Sequence, residues 1–244
     1  MESYYLDIEN HRLARLISHY GGHHLVLLGG GPSSYHLFSS LTASPIIHKI
    51  IISSKCNQMT DKIEFSYLES QYTRLPFAND SISLILMPHT LDVSKNTAQT
   101  ILTEAWRVLT PNNGHLIMLG INPTSLWGLY RLFSITKKNP ILKQHAYTIQ
   151  TLCQWVHYLG GEIQHIESFL FRPPLSSPLG LWVFKKLAWL ERLSPWLIPY
   201  MGGVYLIIAE KRVKRLNGLS LVWQFPPILN NKILAPNARG PHHA

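Results

Sequence analysis

Short apolar runs alternate with segments of helical periodicity along the chain. Runs of apolar and β-branched residues predict strands at 25–28, 46–53, 63–68, 81–87, 115–121, 162–171 and 204–209. Apolar residues at helical spacing predict helices at 11–20, 33–41, 97–109 and 148–159. Strands that alternate with helices in this way are typical of βαβ units. The pattern therefore predicts an α/β fold built on a parallel sheet.

Three glycines, Gly29 to Gly31, follow the first predicted strand in the stretch "LLGGGPSS". Such loops bring a backbone close to phosphate, dinucleotide or nucleoside ligands. A Walker-type loop needs Lys and then Ser or Thr after its last glycine, where this chain has Pro32. A dinucleotide fingerprint needs glycine at its first, third and sixth positions, and Ser34 occupies the sixth. The loop excludes the Walker type and favours a nucleoside-type site.

The end of the second predicted strand lacks the carboxylate that normally binds the ribose diol of a nucleoside. Ser53 and Ser54 stand there, and no acidic residue occurs between Glu9 and Asp61. A hydrogen bond to a charged group contributes about 1.5–3 kcal/mol, so its loss would weaken binding about ten- to a hundred-fold. Ser53, Ser54 or Asn57 would act as neutral partners. The sequence therefore predicts a weakened nucleoside site.

Two longer stretches carry a family resemblance. "LPFANDSISLILMPHTLD" and "ILTEAWRVLTPNNGHLIMLG" resemble the C-terminal half of a type 11 methyltransferase domain, within the class I S-adenosylmethionine-dependent superfamily. "NPTSLWGLYR" and "RPP…LERL…GGVYLIIAEKR" resemble a narrower group of uncharacterised bacterial methyltransferase-like proteins. With "YYLDIE", the resemblance covers most of residues 4–215. It implies a Rossmann-like, mostly parallel sheet of seven strands, with helices on both faces and the last strand antiparallel.

The resemblance also implies a set of cofactor contacts for S-adenosyl-L-methionine, over the C-terminal ends of the first strands. Gly29, Gly30 and Gly31 would line its methionine and ribose side, and Ser53 or Ser54 stands where the ribose-binding acid is expected. The other residues placed at the cofactor are Glu69 and Leu75 near the adenine, and Met87 and Pro88 at the floor of the site.

His89 and Asp92 follow the fourth predicted strand, at the edge where ligands collect in such sheets. His89 is the candidate catalytic residue, because an imidazole suits proton removal near neutral pH. The alternative is a strand-end histidine bonded to neighbouring backbone, since many methyltransferases rely on positioning more than on a base. Asp92 is interpreted as a helix cap or a solvated loop acid, with substrate or amine steering as the alternative.

The region after the fifth predicted strand holds aromatic and basic candidates. Trp127 and Tyr130 would cover the cofactor or pack on the sheet, and Arg172 would bind an anionic group or fix its loop. A Trp-rich helical insertion near 172–202 would pack inward, close over a substrate or rest on lipid. We expect packing with partial lid function and do not favour membrane contact.

Composition sets further limits. Hydrophobic residues make up 46% of the 244, which is enough for a buried core, and no apolar run is long enough to span a membrane. The stretch "MESYYLDIEN" lacks the pattern of a signal peptide, so we expect a cytoplasmic protein. Cys56, Cys153 and the 13 histidines show no metal-ligand spacing, and no metal site is predicted. The net charge of +9 comes without any nucleic-acid-binding motif.

These observations predict one methyltransferase-like domain over 1–215, followed by an extended or disordered tail at 216–244. The predicted function is S-adenosylmethionine-dependent methyl transfer to an unidentified small-molecule or other acceptor. The alternative is a binding module of the same fold with weak or absent turnover. Neither the acceptor nor the oligomeric state can be read from the sequence.

Overall fold

The computed structural model describes residues 2–29, 37–54, 65–93, 96–125, 128, 145–171 and 202–212. The chain divides into a compact unit, Met1–Val213, and a second unit, Lys214–Ala244, which lies outside the described residues. Several predictions also fall outside them, namely those for Gly30, Gly31, Cys56, Asn57, Trp127, Tyr130, Arg172, the insertion up to residue 201 and the tail.

Seven strands form one sheet in the order β3-β2-β1-β4-β5-β7-β6. Their bounds are β1 His24–Leu28, β2 His48–Ser53, β3 Ser66–Glu69, β4 Leu84–Pro88, β5 Gly114–Ile121, β6 Glu162–Phe169 and β7 Val204–Lys211. The first five strands pair in parallel, whereas β7 runs antiparallel to both β5 and β6. The predicted fold, a mostly parallel seven-stranded sheet with an antiparallel last strand, is confirmed.

Four α-helices and one 3-10 helix accompany the strands in the described ranges. They are α1 Glu2–Ile17, α2 Phe38–Leu41, the 3-10 helix Leu91–Val93, α3 Ala98–Val108 and α4 Ile149–Tyr158. Thr148 caps α4 by accepting a hydrogen bond from the Thr151 N–H. None of the described helices combines the length and the apolar character that crossing a bilayer requires.

Two element boundaries differ from the sequence prediction for identifiable reasons. α1 begins at Glu2, well before the predicted start at residue 11. The prediction missed its early turns because a buried position there is the charged Glu9, which interrupts the apolar pattern. β4 begins at Leu84 rather than at residue 81. The apolar Ile82 instead forms an isolated parallel bridge to Leu109, beyond the end of α3.

Both faces of the sheet are buried, which explains the continuous apolar runs of its central strands. In β1, Val26 and Leu28 face one core cluster, and Leu25 and Leu27 face the other. α3 and α4 cover the first cluster, and α1 and α2 cover the second. The sheet is therefore the middle layer of three, and β1 and β4 end side by side at its C-terminal edge.

The turn between β3 and β4 is fixed by a charged pair on α3. Arg107 donates hydrogen bonds from Nη1 to the carbonyl of Phe77 (3.1 Å) and from Nη2 to the carbonyl of Leu75 (3.1 Å) and Oε1 of Glu104 (2.7 Å). The same Glu104 oxygen accepts the N–H of Leu75 at 2.8 Å. Hydrogen bonding to Arg107 lowers the pKa of Glu104, so the pair stays charged. The "LPF" and "EAWRVL" stretches of the sequence are thus joined physically.

Replacing Arg107 with Ala should lower the free energy of unfolding by about 1.5–3 kcal/mol, because two backbone carbonyls and Glu104 lose a charged donor. Urea unfolding followed by circular dichroism measures this loss. Arg15→Ala is the matched control, since Arg15 is an exposed arginine on α1, and we expect its effect to stay near 0.5 kcal/mol. Equal losses for the two variants would show that the turn does not depend on Arg107.

Candidate functional site

The chain changes direction across the sheet at the C-terminal ends of β1 and β4. β1 has β2 on one side and β4 on the other, so the connections from the two halves of the sheet diverge there. Ligands of open α/β sheets bind outside the carboxyl ends of strands at such a switch point. The geometry of the first residues beyond β1 and β4 therefore decides what this edge can hold.

Gly29, the first residue after β1, has a φ of +105°. Residues other than glycine rarely adopt this conformation. A Cβ built on it would lie 2.9 Å from Oγ1 of Thr90 and 3.5 Å from the carbonyl oxygen of Pro88. Its N–H donates to the carbonyl of Ile52 in β2 at 3.1 Å. Glycine is required here because the ends of β1, β2 and β4 converge on this residue.

Thr90 is a residue that the sequence analysis did not single out. Its side chain is buried, and Oγ1 donates a 2.6 Å hydrogen bond to the carbonyl of Leu28, the last residue of β1. This bond holds the chain leaving β4 against the chain leaving β1. The sequence does carry one signal for Thr90, which is a hydroxyl two residues beyond a buried strand. A buried hydroxyl needs a hydrogen-bond partner, so this position indicates a bond to a neighbouring strand end.

The ends of β2 and β3 lie side by side. Ser53 and Glu69 are paired across the two strands, and the N–H of Ser70 donates to the carbonyl of Ser53 at 3.1 Å. Ser53 is half-buried, whereas Ser54 and Glu69 are exposed. Among the described residues of these two strand ends, Glu69 is the one carboxylate. Contacts between these three residues and a cofactor stay predictions.

Three other predicted cofactor residues, Leu75, Met87 and Pro88, are buried. The side chains of Leu75 and Met87 pack in the hydrophobic core, where they are 3% and 0% exposed. The carbonyl oxygen of Pro88 instead lies next to Gly29, 3.5 Å from where a Cβ of that residue would be. The structure thus brings Pro88 and Gly29 together, and it directs the side chains of Leu75 and Met87 into the core.

His89 follows β4 directly and has a left-handed backbone with a φ of +53°. Its N–H donates to the carbonyl of Leu119 in β5 at 2.8 Å. The imidazole lies between two carboxylates: Nε2 is 3.5 Å from Oε2 of Glu9 on α1, and Nδ1 is 3.3 Å from Oδ2 of Asp92. Its side chain is 27% exposed, while those of Glu9 and Asp92 are 6% and 1% exposed.

The electrostatics of this cluster bear on the predicted role of His89. Burial lowers the pKa of the imidazole, but the charge of Glu9 and the hydrogen bonds to Asp92 and Glu9 outweigh it and raise the pKa to about 10. At neutral pH the ring is therefore an imidazolium with both N–H groups directed at carboxylates. In this arrangement it has no lone pair with which to accept a proton, so the geometry argues against the general-base interpretation.

Asp92 was interpreted from the sequence as a helix cap or a solvated loop acid, and this interpretation is wrong. The residue is fully buried, and Oδ2 accepts a hydrogen bond from the N–H of Ile121 at the end of β5 (3.3 Å). It lies in the middle of its 3-10 helix. Together with Glu9, which the sequence analysis did not place at the site, it makes a charged cluster at the carboxyl edge of β4 and β5.

A cavity of about 300 Å³ opens beside this edge, lined by Thr124, Thr148, Ile149, Gln150, Cys153 and Ile166. It lies between the turn after β5, the start of α4 and β6. Its volume is at the low end of the range for small-molecule sites. Burial raises the pKa of the Cys153 thiol, which therefore stays protonated and is a poor nucleophile.

Comparisons with known proteins agree with this geometry. Residues 28–118 match the family model described as "Methyltransferase domain". An uncharacterized protein of Escherichia coli K12, YafS, is 30% identical over 141 residues, which is 57% of this chain and 52% of that protein. The match therefore spans about half the length of that relative.

Solved structures with the same fold include proteins of different activity. An S-adenosylmethionine-dependent methyltransferase of Archaeoglobus fulgidus superposes with a TM-score of 0.58 at 18% identity, covering 84% of this chain and 94% of that one. The [4+2]-cyclase SpnF superposes with a TM-score of 0.57 at 14% identity, covering 83% of this chain and 80% of that one. At these identities the superpositions show the fold alone.

The strand order and the glycine at the switch point agree with the fold of these solved structures. Residues 28–118 are similar to the methyltransferase domain, as the sequence resemblance implies.

His89 should make the stability of the protein depend on pH. Its pKa is about 10 when folded and about 6.5 in an unfolded chain. Its stabilisation is therefore complete below pH 6.5 and is lost as the pH rises toward 10, by at most about 1.4 kcal/mol per pH unit. Urea unfolding of the wild type and of His89→Asn, compared at pH 6, 8 and 10, measures the difference. Asparagine tolerates the left-handed backbone, so the comparison isolates the imidazolium. A difference that stays constant or grows with pH contradicts the assigned charge.

Proposed function

We propose that the protein is an S-adenosylmethionine-dependent methyltransferase that acts on an unidentified acceptor. The observation that carries this proposal is Gly29, a positive-φ glycine against which Thr90 and Pro88 pack at the β1/β4 switch point. This glycine lets the end of β1 pack against the end of β4, at the switch point where ligands of open α/β sheets bind. The family match over residues 28–118 supports the same assignment.

The described residues suit a nucleoside-containing cofactor. Gly29 lies at the end of β1 on the switch point, and Ser53 and Ser54 have hydroxyl groups at the end of β2. Glu69, exposed at the end of the neighbouring strand, is the carboxylate available on that side. We infer that these residues hold the nucleoside part of S-adenosyl-L-methionine. Gly30 and Gly31, which lie outside the described residues, are assigned with them from the sequence.

The catalytic contribution of the chain is mainly alignment. When bound, S-adenosylmethionine would supply a sulfonium methyl group for direct displacement by an acceptor's lone pair, with the electron pair of the broken carbon–sulfur bond left on sulfur. Holding two reactants in line accelerates such a displacement without any protein base. His89 is already protonated and paired with Glu9 and Asp92. We infer that an acceptor either reacts without losing a proton first or releases that proton to water.

The second candidate function is a binding module that keeps the fold without turnover. It is favoured by the serines at the end of β2, where a carboxylate would add a charge-assisted hydrogen bond to the ribose. Folds of this kind host more than one activity, as the superposition with the [4+2]-cyclase SpnF illustrates. Turnover therefore has to be measured separately from binding.

Substituting Gly29 with Ala should abolish binding of S-adenosylhomocysteine, because a Cβ would meet Thr90 Oγ1 and strain the backbone. Isothermal titration calorimetry measures the affinity, and circular dichroism confirms the fold. Gly21→Ala is the matched control, because a Cβ there meets no atom within 4 Å, and it should bind as the wild type does.

Unchanged affinity in a folded Gly29→Ala protein would contradict this location of the site.

The same variants separate an enzyme from a binding module. An enzyme releases S-adenosylhomocysteine when S-adenosylmethionine and a small-molecule cell extract are added, and Gly29→Ala does not. A wild type that binds but never turns over in such extracts would favour the module.

Placing an acid at the end of β2 should strengthen cofactor binding. Ser54→Asp, or Ser53→Asp if that side chain faces the ribose, adds an ionised acceptor and should tighten S-adenosylhomocysteine binding about ten- to a hundred-fold. Ser66→Asp adds the same charge at the exposed start of β3, toward the opposite edge of the sheet, and should leave the affinity unchanged. If neither Ser53→Asp nor Ser54→Asp tightens binding, the ribose is not held at the end of β2.

A further inference from the structure

The carboxylate of Asp92 has one oxygen in use and one without a partner. Oδ2 accepts the Ile121 N–H and faces His89, whereas Oδ1 is buried and has no hydrogen-bond partner among the described residues. The whole residue is 0% exposed. An unsatisfied buried polar atom costs free energy, and a charged one costs more than a neutral one. A donor group that met Oδ1 would remove this cost.

The surroundings of Asp92 favour a positively charged donor. His89 is the cation facing it, and Glu9 shares that imidazolium. The pKa values of Tyr147 and Tyr205 are raised by burial and, less strongly, by the charge of Asp92. These two hydroxyls are therefore neutral and do not balance the charge of Asp92. An anionic group would be repelled at this position. An ammonium or amine N–H would instead form a charge-assisted hydrogen bond, the strong kind in a buried setting.

The position of Asp92 places its free oxygen at the proposed reaction edge. Asp92 lies two residues after Thr90, which is joined to the end of β1, and its Oδ2 is bonded to Ile121, the last residue of β5. Its carbonyl accepts the N–H of His145, just before α4. The bonds of Thr90 and His145 thus hold the backbone around Asp92 beside the switch point, and the Ile121 N–H holds its carboxylate.

We propose that Asp92 Oδ1 accepts a hydrogen bond from an ammonium or amine group of a ligand bound at this edge. The inference rests on the proposed function, because that function supplies the ligands. The N–H donor belongs either to the methionine part of the cofactor, which carries an α-ammonium group, or to an amine-containing methyl acceptor. To reach Oδ1, the donor displaces atoms that now cover it.

The first experiment compares S-adenosylhomocysteine with its deaminated analogue, which keeps the carboxylate and lacks the ammonium group. Calorimetry measures both ligands on the wild type and on Asp92→Asn, which keeps the shape of the side chain and removes its charge. If the donor belongs to the cofactor, Asp92→Asn weakens S-adenosylhomocysteine about ten- to a hundred-fold and leaves the analogue unchanged. Asp80→Asn, at an exposed acid paired with Lys211, is the matched control and changes neither affinity.

The second experiment tests the acceptor as the source of the donor. Ethylamine is titrated into the protein saturated with S-adenosylhomocysteine, and the amide resonance of Ile121 is followed by NMR, because its N–H is bonded to the same carboxylate. A saturable shift with ethylamine, absent with tetramethylammonium and absent in Asp92→Asn, supports an amine acceptor. Tetramethylammonium carries the charge without an N–H, so it separates hydrogen bonding from attraction. The wild-type comparison remains decisive even if Asp92→Asn does not fold.

The outcomes separate the two claims. A wild type that fails to bind S-adenosylhomocysteine overturns the proposed function and this inference with it. A wild type that binds S-adenosylhomocysteine and its deaminated analogue equally well, with no Ile121 shift on adding ethylamine, overturns the inference alone. Asp92 Oδ1 is then satisfied by a buried water molecule, and the acid is structural.

Discussion

A hydrogen bond from the Thr90 hydroxyl to the carbonyl of Leu28 joins the ends of β1 and β4, and the candidate site depends on it. The bond brings the chain leaving β4 so close to Gly29 that a side chain cannot fit between them. Because both strands are buried on both faces, their ends cannot shift sideways without disturbing the core. The position of the site is therefore set by the same packing that stabilises the sheet.

The cluster of Glu9, His89 and Asp92 extends this arrangement to the first helix. His89 has a left-handed backbone, which costs about 1–2 kcal/mol, and its ring reaches Glu9 from a position 80 residues away in the sequence. The imidazolium offsets part of the cost of burying two carboxylates. α1 is thus joined to the carboxyl edge of β4 by charge as well as by apolar packing. The raised pKa of this imidazolium argues against the general-base interpretation of His89.

Much of the fold could be predicted from the sequence, because strands buried on both faces appear as apolar runs and glycines end elements. The residues of the site were harder to predict from the sequence. A glycine loop and a strand end are local signals that identified Gly29 and Pro88, which the structure brings together and whose contact with a cofactor stays a prediction. Glu9 and Thr90 were missed and Asp92 was misread, because their roles arise from contacts between residues far apart in the sequence. The pKa of His89 likewise depends on Glu9, which no local pattern connects to it.

The proposed function requires a nucleoside cofactor beside Gly29, at the ends of β1 and β4. A crystal structure of the protein grown with S-adenosylhomocysteine tests it most directly. We expect density for the ligand in contact with Gly29, with its ribose toward Ser53 and Ser54. Ligand density at another surface, or none at this edge at millimolar concentration, would show that the cofactor is not held here.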